Sequence, residues 1–239
     1  PELVARVQDL FACEYVQTYG LTETSPFLTV SLLDDELRAL DREQQFFYAS
    51  RTGRAFAGVD LRVVGEDGAL VPKDDKAVGE IQARGDSVFK GYWKQDEATR
   101  EAFEDGWFLT GDLATIEARG FLNIVDRKKD IILTGGETVY STEVENAIYT
   151  HQRVESVAVF PIPDRDWGEL VAAAVVLRDG ERELHIEELA GHCRLFLAPY
   201  KVPRVVYFVD QLPLTGSGKV QKRLIRERCL DKRGERIDP

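Results

Sequence analysis

The chain has 239 residues, is 44% hydrophobic and 31% charged, and carries a net charge of −11. That length suits one or two globular domains, and the acidic balance argues against general nucleic-acid binding. No apolar run approaches the ~18 residues of a membrane span, so no transmembrane segment is expected, and no basic-then-apolar leader opens the chain.

Residues 2–11 have the pattern of a short amphipathic helix. The chain opens in what reads as a helix interior and contains no Met, so a cut or incomplete N-terminus is expected. Glu14 to Thr18 suits a strand ending at the Tyr19-Gly20 turn, and residues 33–45 suit a surface loop or short helix. From Gly53 to Asp126 short β-like runs (VDLRVVG, GEIQARG, FLNIVDR) alternate with Gly, Asp and Pro turns. Such spacing predicts a small antiparallel sheet or barrel. Gly79, Gly85 and Gly91 are expected to allow its tight turns, and Asp96 to cap a helix over EATREAF.

After Asp126 the pattern changes. Thr142-Glu143-Val144-Glu145 fits a capping box opening a helix to about His151. VESVAVF, LVAAAVVL and VVYFV read as strands. Residues 185–197 read as a helix with Leu189, Cys193 and Phe196 on one face, and Val220 to Cys229 as another. Alternating helices and strands predict a separate small α/β domain. The expected division is 1–126, a hinge over 127–130, and 131–239.

Cys13, Cys193 and Cys229 are far apart and lack CxxC spacing. They fit reduced thiols in a cytoplasmic protein, not a disulfide framework or zinc site. The histidines have no HxxxH spacing, so no metal–His site is assigned.

Four segments combine small flexible residues with one or two charges: YGLTETSP (Tyr19 to Pro26), FLTGDL (Phe108 to Leu113), VDRKKDIILTGGE (Val125 to Glu137) and LPLTGSGKVQKR (Leu212 to Arg223). In the first, glycine lets backbone approach a ligand, Thr hydroxyls can bond phosphate oxygens, and a lone carboxylate can hold Mg²⁺; a ligand-free Thr turn is the alternative. In the second, an exposed Asp112 can accept ribose hydroxyls or cap its own backbone. The third suits either a ligand-facing loop or a charged surface strand with a Gly-Gly turn. In the fourth, Lys219 sits on a Gly/Ser loop, an exposed position with or without a ligand. It fails the Walker A pattern, because Pro213 stands where the first Gly belongs and Val220 where Ser/Thr belongs.

In order and spacing these segments resemble the adenylate-forming enzymes: acyl-CoA synthetases, luciferase-like proteins and adenylation domains. KDIILTGGETVYSTEVENAIYTH is most similar to bacterial fatty-acyl-CoA ligases. The resemblance implies an α/β fold: the end of a large AMP-binding domain with a small antiparallel barrel-like subdomain, then a small mixed α/β C-terminal domain. It implies an ATP-dependent ligase that activates a carboxylic, fatty acid as acyl-AMP and transfers it to coenzyme A. It places Tyr19 on the adenine face, Gly20 among the cofactor-binding residues, Thr22 on the phosphates and Glu23 on magnesium. Asp112 and Arg127 would hold the ribose, Lys129 would be the hinge, and Gly135-Gly136 would admit the pantetheine thiol. Lys219 would reach the substrate carboxylate and α-phosphate. GEIQARGDSVFKGYW is family-like and reads as mainly structural. The Ser/Thr/Gly-rich phosphate loop that precedes YGLTE in the family has no counterpart here. The chain is therefore also readable as a non-catalytic nucleotide-binding fragment, or as one half of a split enzyme partnering a missing N-terminal half.

Overall fold

A computed structural model describes residues 2–179, 184–216, 218–230 and 235–236, with the side chains of residues 2, 3, 5, 235 and 236 outside the description. The chain divides into two compact units, Pro1–Lys128 and Lys129–Pro239.

In the first unit, α1 (Glu2–Phe11) precedes β1 (Thr18–Tyr19), β2 (Thr29–Val30), α2 (Asp35–Arg38), α3 (Arg42–Ala49) and β3 (Arg54–Ala55). The strand expected from Glu14 shrinks to the two residues of β1, Thr18 and Tyr19, which pair with Val30 and Thr29 of β2. Asp34 and Asp41 cap α2 and α3, accepting from Leu37 N at 3.0 Å and Gln44 N at 2.9 Å. These side chains satisfy amides that a helix start leaves unpaired.

Next come β4 (Val59–Val64), β5 (Gly79–Gly85), α4 (Asp96–Glu101), β6 (Phe103–Glu104), β7 (Trp107–Ile116) and β8 (Leu122–Arg127). They form one antiparallel sheet, β4-β5-β7-β6 with β8 added to β7, an open half-barrel. Val63, Ile81, Ala114 and Leu122 form one buried cluster and Leu28, Ala83 and Phe108 another. Gly79 serves close packing, not a turn: a Cβ there would stand 2.5 Å from the Val64 carbonyl oxygen. The cap of α4 is Gln95, which makes no side-chain cap bond; Asp96 is already helical.

The second unit begins with β9 (Ile132–Thr134), β10 (Glu137–Val139), α5 (Ser141–Tyr149), β11 (Val154–Asp164) and β12 (Gly168–Leu177). It continues through α6 (Ile186–Cys193), β13 (Val205–Phe208), α7 (Lys222–Leu230) and β14 (Glu235–Arg236). The sheet is mixed: β12 runs antiparallel to β11 and parallel to β13. Its central strands are apolar on both faces because both are covered. Val157, Val159, Val171, Ala173, Val175 and Val206 pack with α5 and α6, whereas Ala158, Phe160, Ala172, Ala174, Val205 and Tyr207 pack with Ile225 and Cys229 of α7. Burying each large aliphatic side chain contributes roughly 1.5–3 kcal/mol.

Two sequence expectations fail here. Thr142 lies inside α5, whose cap position is Tyr140. Phe196 is 58% exposed beyond the end of α6, while Leu189 and Cys193 are buried. Burial pushes the Cys193 thiol up to about 11, so it packs as a neutral apolar group.

Candidate functional site

In the first unit the candidate residues converge on β7. Gln82 of β5 pairs with Leu109 of β7, and Glu80 with Leu113, so β7 bulges between them. Gly111 takes φ +72 inside that bulge. Glu80, nearly buried, accepts from Gly111 N at 3.1 Å and from Lys128 Nζ at 2.8 Å. A single carboxylate thus holds the bulge open from below. Glu80 carried no signal at the level of sequence, and Lys128 was read only as part of the hinge segment, since register alone brings the two together.

The bulge presents Asp112, which is 7% exposed, not an open carboxylate at a strand end. On the other edge of β7, Asp112 pairs directly with Arg127 of β8. Arg127 Nε lies 3.5 Å from Asp112 Oδ1, an ion pair weakened by the half-exposed guanidinium. The Tyr19 hydroxyl donates to Asp112 Oδ2 at 2.6 Å. Burial, and then the adjacent Asp112 carboxylate, push the Tyr19 hydroxyl far above its ordinary range, so it stays a donor. Tyr19, Asp112 and Arg127 therefore form one constellation, assembled from β1, β7 and β8.

Gly20 has a structural reason for being glycine. A Cβ there would stand 1.6 Å from the Pro26 carbonyl oxygen, so on the side where a Cβ would stand glycine admits this chain's own backbone. Thr22, Glu23 and Thr24 form a 3₁₀ turn. Thr24 is fully buried: its hydroxyl accepts from Leu21 N at 2.9 Å and lies 3.0 Å from the Leu21 carbonyl. It is spent on the turn and cannot serve a phosphate. Thr22 is exposed and Glu23 half-buried. Glu23 Oε1 accepts from the Tyr92 hydroxyl at 3.1 Å. Tyr92 belongs to the GYW run that sequence reading treated as structural.

Among the described residues, no three His, Cys, Asp or Glu side chains converge on a common point. A cation at Glu23 would need phosphate and water oxygens to complete its shell, which suits Mg²⁺.

In the second unit, Gly135 (φ +59) and Gly136 (φ +85) are the two central residues between paired Thr134 and Glu137. Both positive angles define a type I′ hairpin turn. Gly135 N donates to the Trp167 carbonyl at 2.9 Å, and a Cβ on Gly135 would stand 2.7 Å from the Trp167 ring. Lys219 lies on a second hairpin, where Leu214 bridges Val220. Thr215 N donates to the Lys219 carbonyl at 2.8 Å, and Lys219 N donates to Thr215 Oγ1 at 3.0 Å. The loop backbone is thus pinned, and the Lys219 side chain is exposed, with no ion pair among the described residues. By contrast Lys222 is committed to structure, 2.6 Å from Ser141 Oγ and 2.7 Å from Glu145 Oε1. Lys128, Lys129 and Asp130 form a 3₁₀ turn where the two units divide, and Lys129 is exposed.

Residues 1–93 match the AMP-binding enzyme family, and residues 143–219 match the AMP-binding enzyme C-terminal domain. The chain belongs to the adenylate-forming, AMP-binding enzymes. Within that family it is 44% identical to feruloyl-CoA synthase from Amycolatopsis over 90% of this chain and 41% of the relative. It is 38% identical to a long-chain-fatty-acid–CoA ligase of Mycobacterium tuberculosis over 95% of this chain and 42% of the relative. Among solved structures, ATP-bound MatB from Rhodopseudomonas palustris matches with a TM-score of 0.80 and 36% identity, over 92% of this chain and 41% of that one. The o-succinylbenzoate-CoA synthetase of Bacillus subtilis, in complex with its acyl-adenylate intermediate, matches with a TM-score of 0.80 and 28% identity, over 99% and 45%. The chain thus spans about two fifths of the length of these AMP-binding relatives. No described helix is long and apolar enough to cross a membrane.

Proposed function

We propose that this chain supplies the ribose-binding, metal-facing and phosphate-directed lysine elements of an ATP-dependent acid–thiol ligase. The carrying observation is the buried Asp112 carboxylate, held by Tyr19 at 2.6 Å and paired with Arg127. An acid fixed in this way, raised on a bulge, is an acceptor for the paired hydroxyls of a nucleoside. Tyr19 borders the adenine face, Gly20 lies beside it at the nucleotide, and Thr22 meets the phosphates.

The reaction proposed has two steps. An oxygen of the acid attacks the α-phosphorus of ATP, forming the acyl–phosphate bond while the bond to pyrophosphate breaks. The sulfur of coenzyme A then attacks the acyl carbonyl carbon, losing its proton to solvent, as the carbon–oxygen bond of the mixed anhydride breaks and AMP leaves with the bridging oxygen. Lys219 offsets charge building on the α-phosphate in the first step; a preorganised donor of this kind contributes about 3–4 kcal/mol. Mg²⁺ facing Glu23 would supply further charge neutralisation on the phosphates. Gly136, with open space where a Cβ would stand, leaves passage for the pantetheine thiol in the second step beside Gly135, which packs on Trp167, and Lys129 is the pivot between steps. The names of the relatives point to aromatic and fatty carboxylic acids as substrates.

A chain completed to the relatives' length, by fusing the N-terminal portion of the Amycolatopsis feruloyl-CoA synthase ahead of residue 1, tests the proposal. It should exchange labelled pyrophosphate into ATP when a cinnamic-type or fatty acid is present, and Asp112→Asn should weaken AMP binding at least 10-fold. The alternative reading is a nucleotide-binding module without turnover of its own. AMP binding that depends on Asp112, with no exchange for any acid, would select that second reading.

A further inference from the structure

We propose that Tyr92 is a positioning residue for Glu23: its hydroxyl fixes one carboxylate oxygen and thereby aims the other at the cation carried by the nucleotide. The inference rests on the assignment of Glu23 as the magnesium-facing acid. Tyr92 OH donates to Glu23 Oε1 at 3.1 Å across 69 residues of sequence. A backbone bond runs alongside it, from Phe89 N to the Glu23 carbonyl at 2.7 Å. The segment from Phe89 to Tyr92 is therefore tied to the Thr22–Thr24 turn twice, by the Phe89 main chain and by the Tyr92 side chain.

Tyr92 is itself braced. Its amide donates to Thr99 Oγ1 of α4 at 2.9 Å, and its ring meets Phe89 edge-on at 4.8 Å. The neighbouring Gly91 lets Thr99 come close, since a Cβ there would stand 2.5 Å from Thr99 Cγ2. A chain of contacts thus runs from α4 through Tyr92 to one oxygen of Glu23. Among the described residues, Glu23 Oε2 has no hydrogen-bond partner. A glutamate on a solvent-facing turn has three side-chain torsions free, and metal binding must freeze them. With Oε1 already held, most of that ordering precedes binding, so affinity rises without any new contact. A single oxygen left open also suits monodentate ligation of a cation that keeps its waters.

The test is calorimetric titration of this chain with ATP, with and without Mn²⁺, for the native sequence and for Tyr92→Phe and Glu23→Gln. Mn²⁺ should tighten ATP binding to the native chain. Tyr92→Phe should reduce that tightening about 10-fold, equivalent to 1.4 kcal/mol, while metal-free ATP affinity stays the same. Phe keeps the ring packing on Phe89, so a merely structural role would change both affinities alike or neither. Full tightening in Tyr92→Phe alongside its loss in Glu23→Gln would overturn the positioning role alone. Equal tightening, or none, in native and Glu23→Gln chains would overturn the Glu23 assignment, and the role of Tyr92 with it.

Discussion

Arg51→Met should destabilise the first unit by about 2–3 kcal/mol at neutral pH. Arg51 is 6% exposed and forks onto Asp75, with Nη1 2.6 Å from Oδ1 and Nη2 in contact with Oδ2. Thr115 Oγ1 of β7 donates to the same Oδ1 at 2.9 Å, and the guanidinium lies 4.2 Å from the Phe47 ring centroid. The cluster clamps α3 and the β4–β5 connection to the strand that carries Asp112. Removing one member of a buried pair costs about 3–5 kcal/mol. The Asp75 side chain is 32% exposed, so water recovers part of that loss, and Met retains the aliphatic packing on Phe47. The pair also fixes the pH dependence. The Arg51 hydrogen bonds, then Thr115, hold the Asp75 carboxyl below its ordinary 3.8 against the opposing effect of burial. A depressed folded-state value stabilises above the unfolded value, and the contribution is lost as pH falls through the folded one. The gap between native and Arg51→Met chains should therefore be full near about pH 7 and shrink below about pH 4. Urea unfolding at both pH values, with equal m-values, measures it. A gap under about 0.5 kcal/mol at neutral pH, or one that widens in acid, would refute the reasoning.

In the completed enzyme, Lys219→Ala should slow formation of acyl-AMP about 10²–10³-fold and leave thioester formation from supplied acyl-AMP near normal; equal losses in both half-reactions would point to a structural lysine instead. Gly136→Leu should show the opposite bias, because φ +85 and a bulky side chain together obstruct the second step. Gly20→Ala should cost about 3 kcal/mol in urea unfolding, since the added methyl meets backbone 1.6 Å away and backbone must move; a loss under about 1 kcal/mol would show that the turn yields freely.

The sequence by itself determined the family and the kind of elements. The ordered wording of YGLTETSP, FLTGDL, VDRKKDIILTGGE and LPLTGSGKVQKR is a local property, and family membership follows from it. Strand runs such as LVAAAVVL were legible because both faces of β12 are buried and every position is apolar. Helix starts were less legible. Thr142 and Asp96 suit caps by residue type, yet tertiary packing set those starts one or two residues earlier. What only the tertiary structure decided is which polar groups meet. The opposition of Asp112 and Arg127 depends on a strand register, and the bulge that raises Asp112 depends on Glu80, far off in sequence. The spending of Thr24 on its own turn and the bond from Tyr92 to Glu23 are of the same kind. A motif names residue types along a line. Hydrogen bonds between distant strands and turns are fixed by register and backbone path, and those emerge only when the whole sheet has packed.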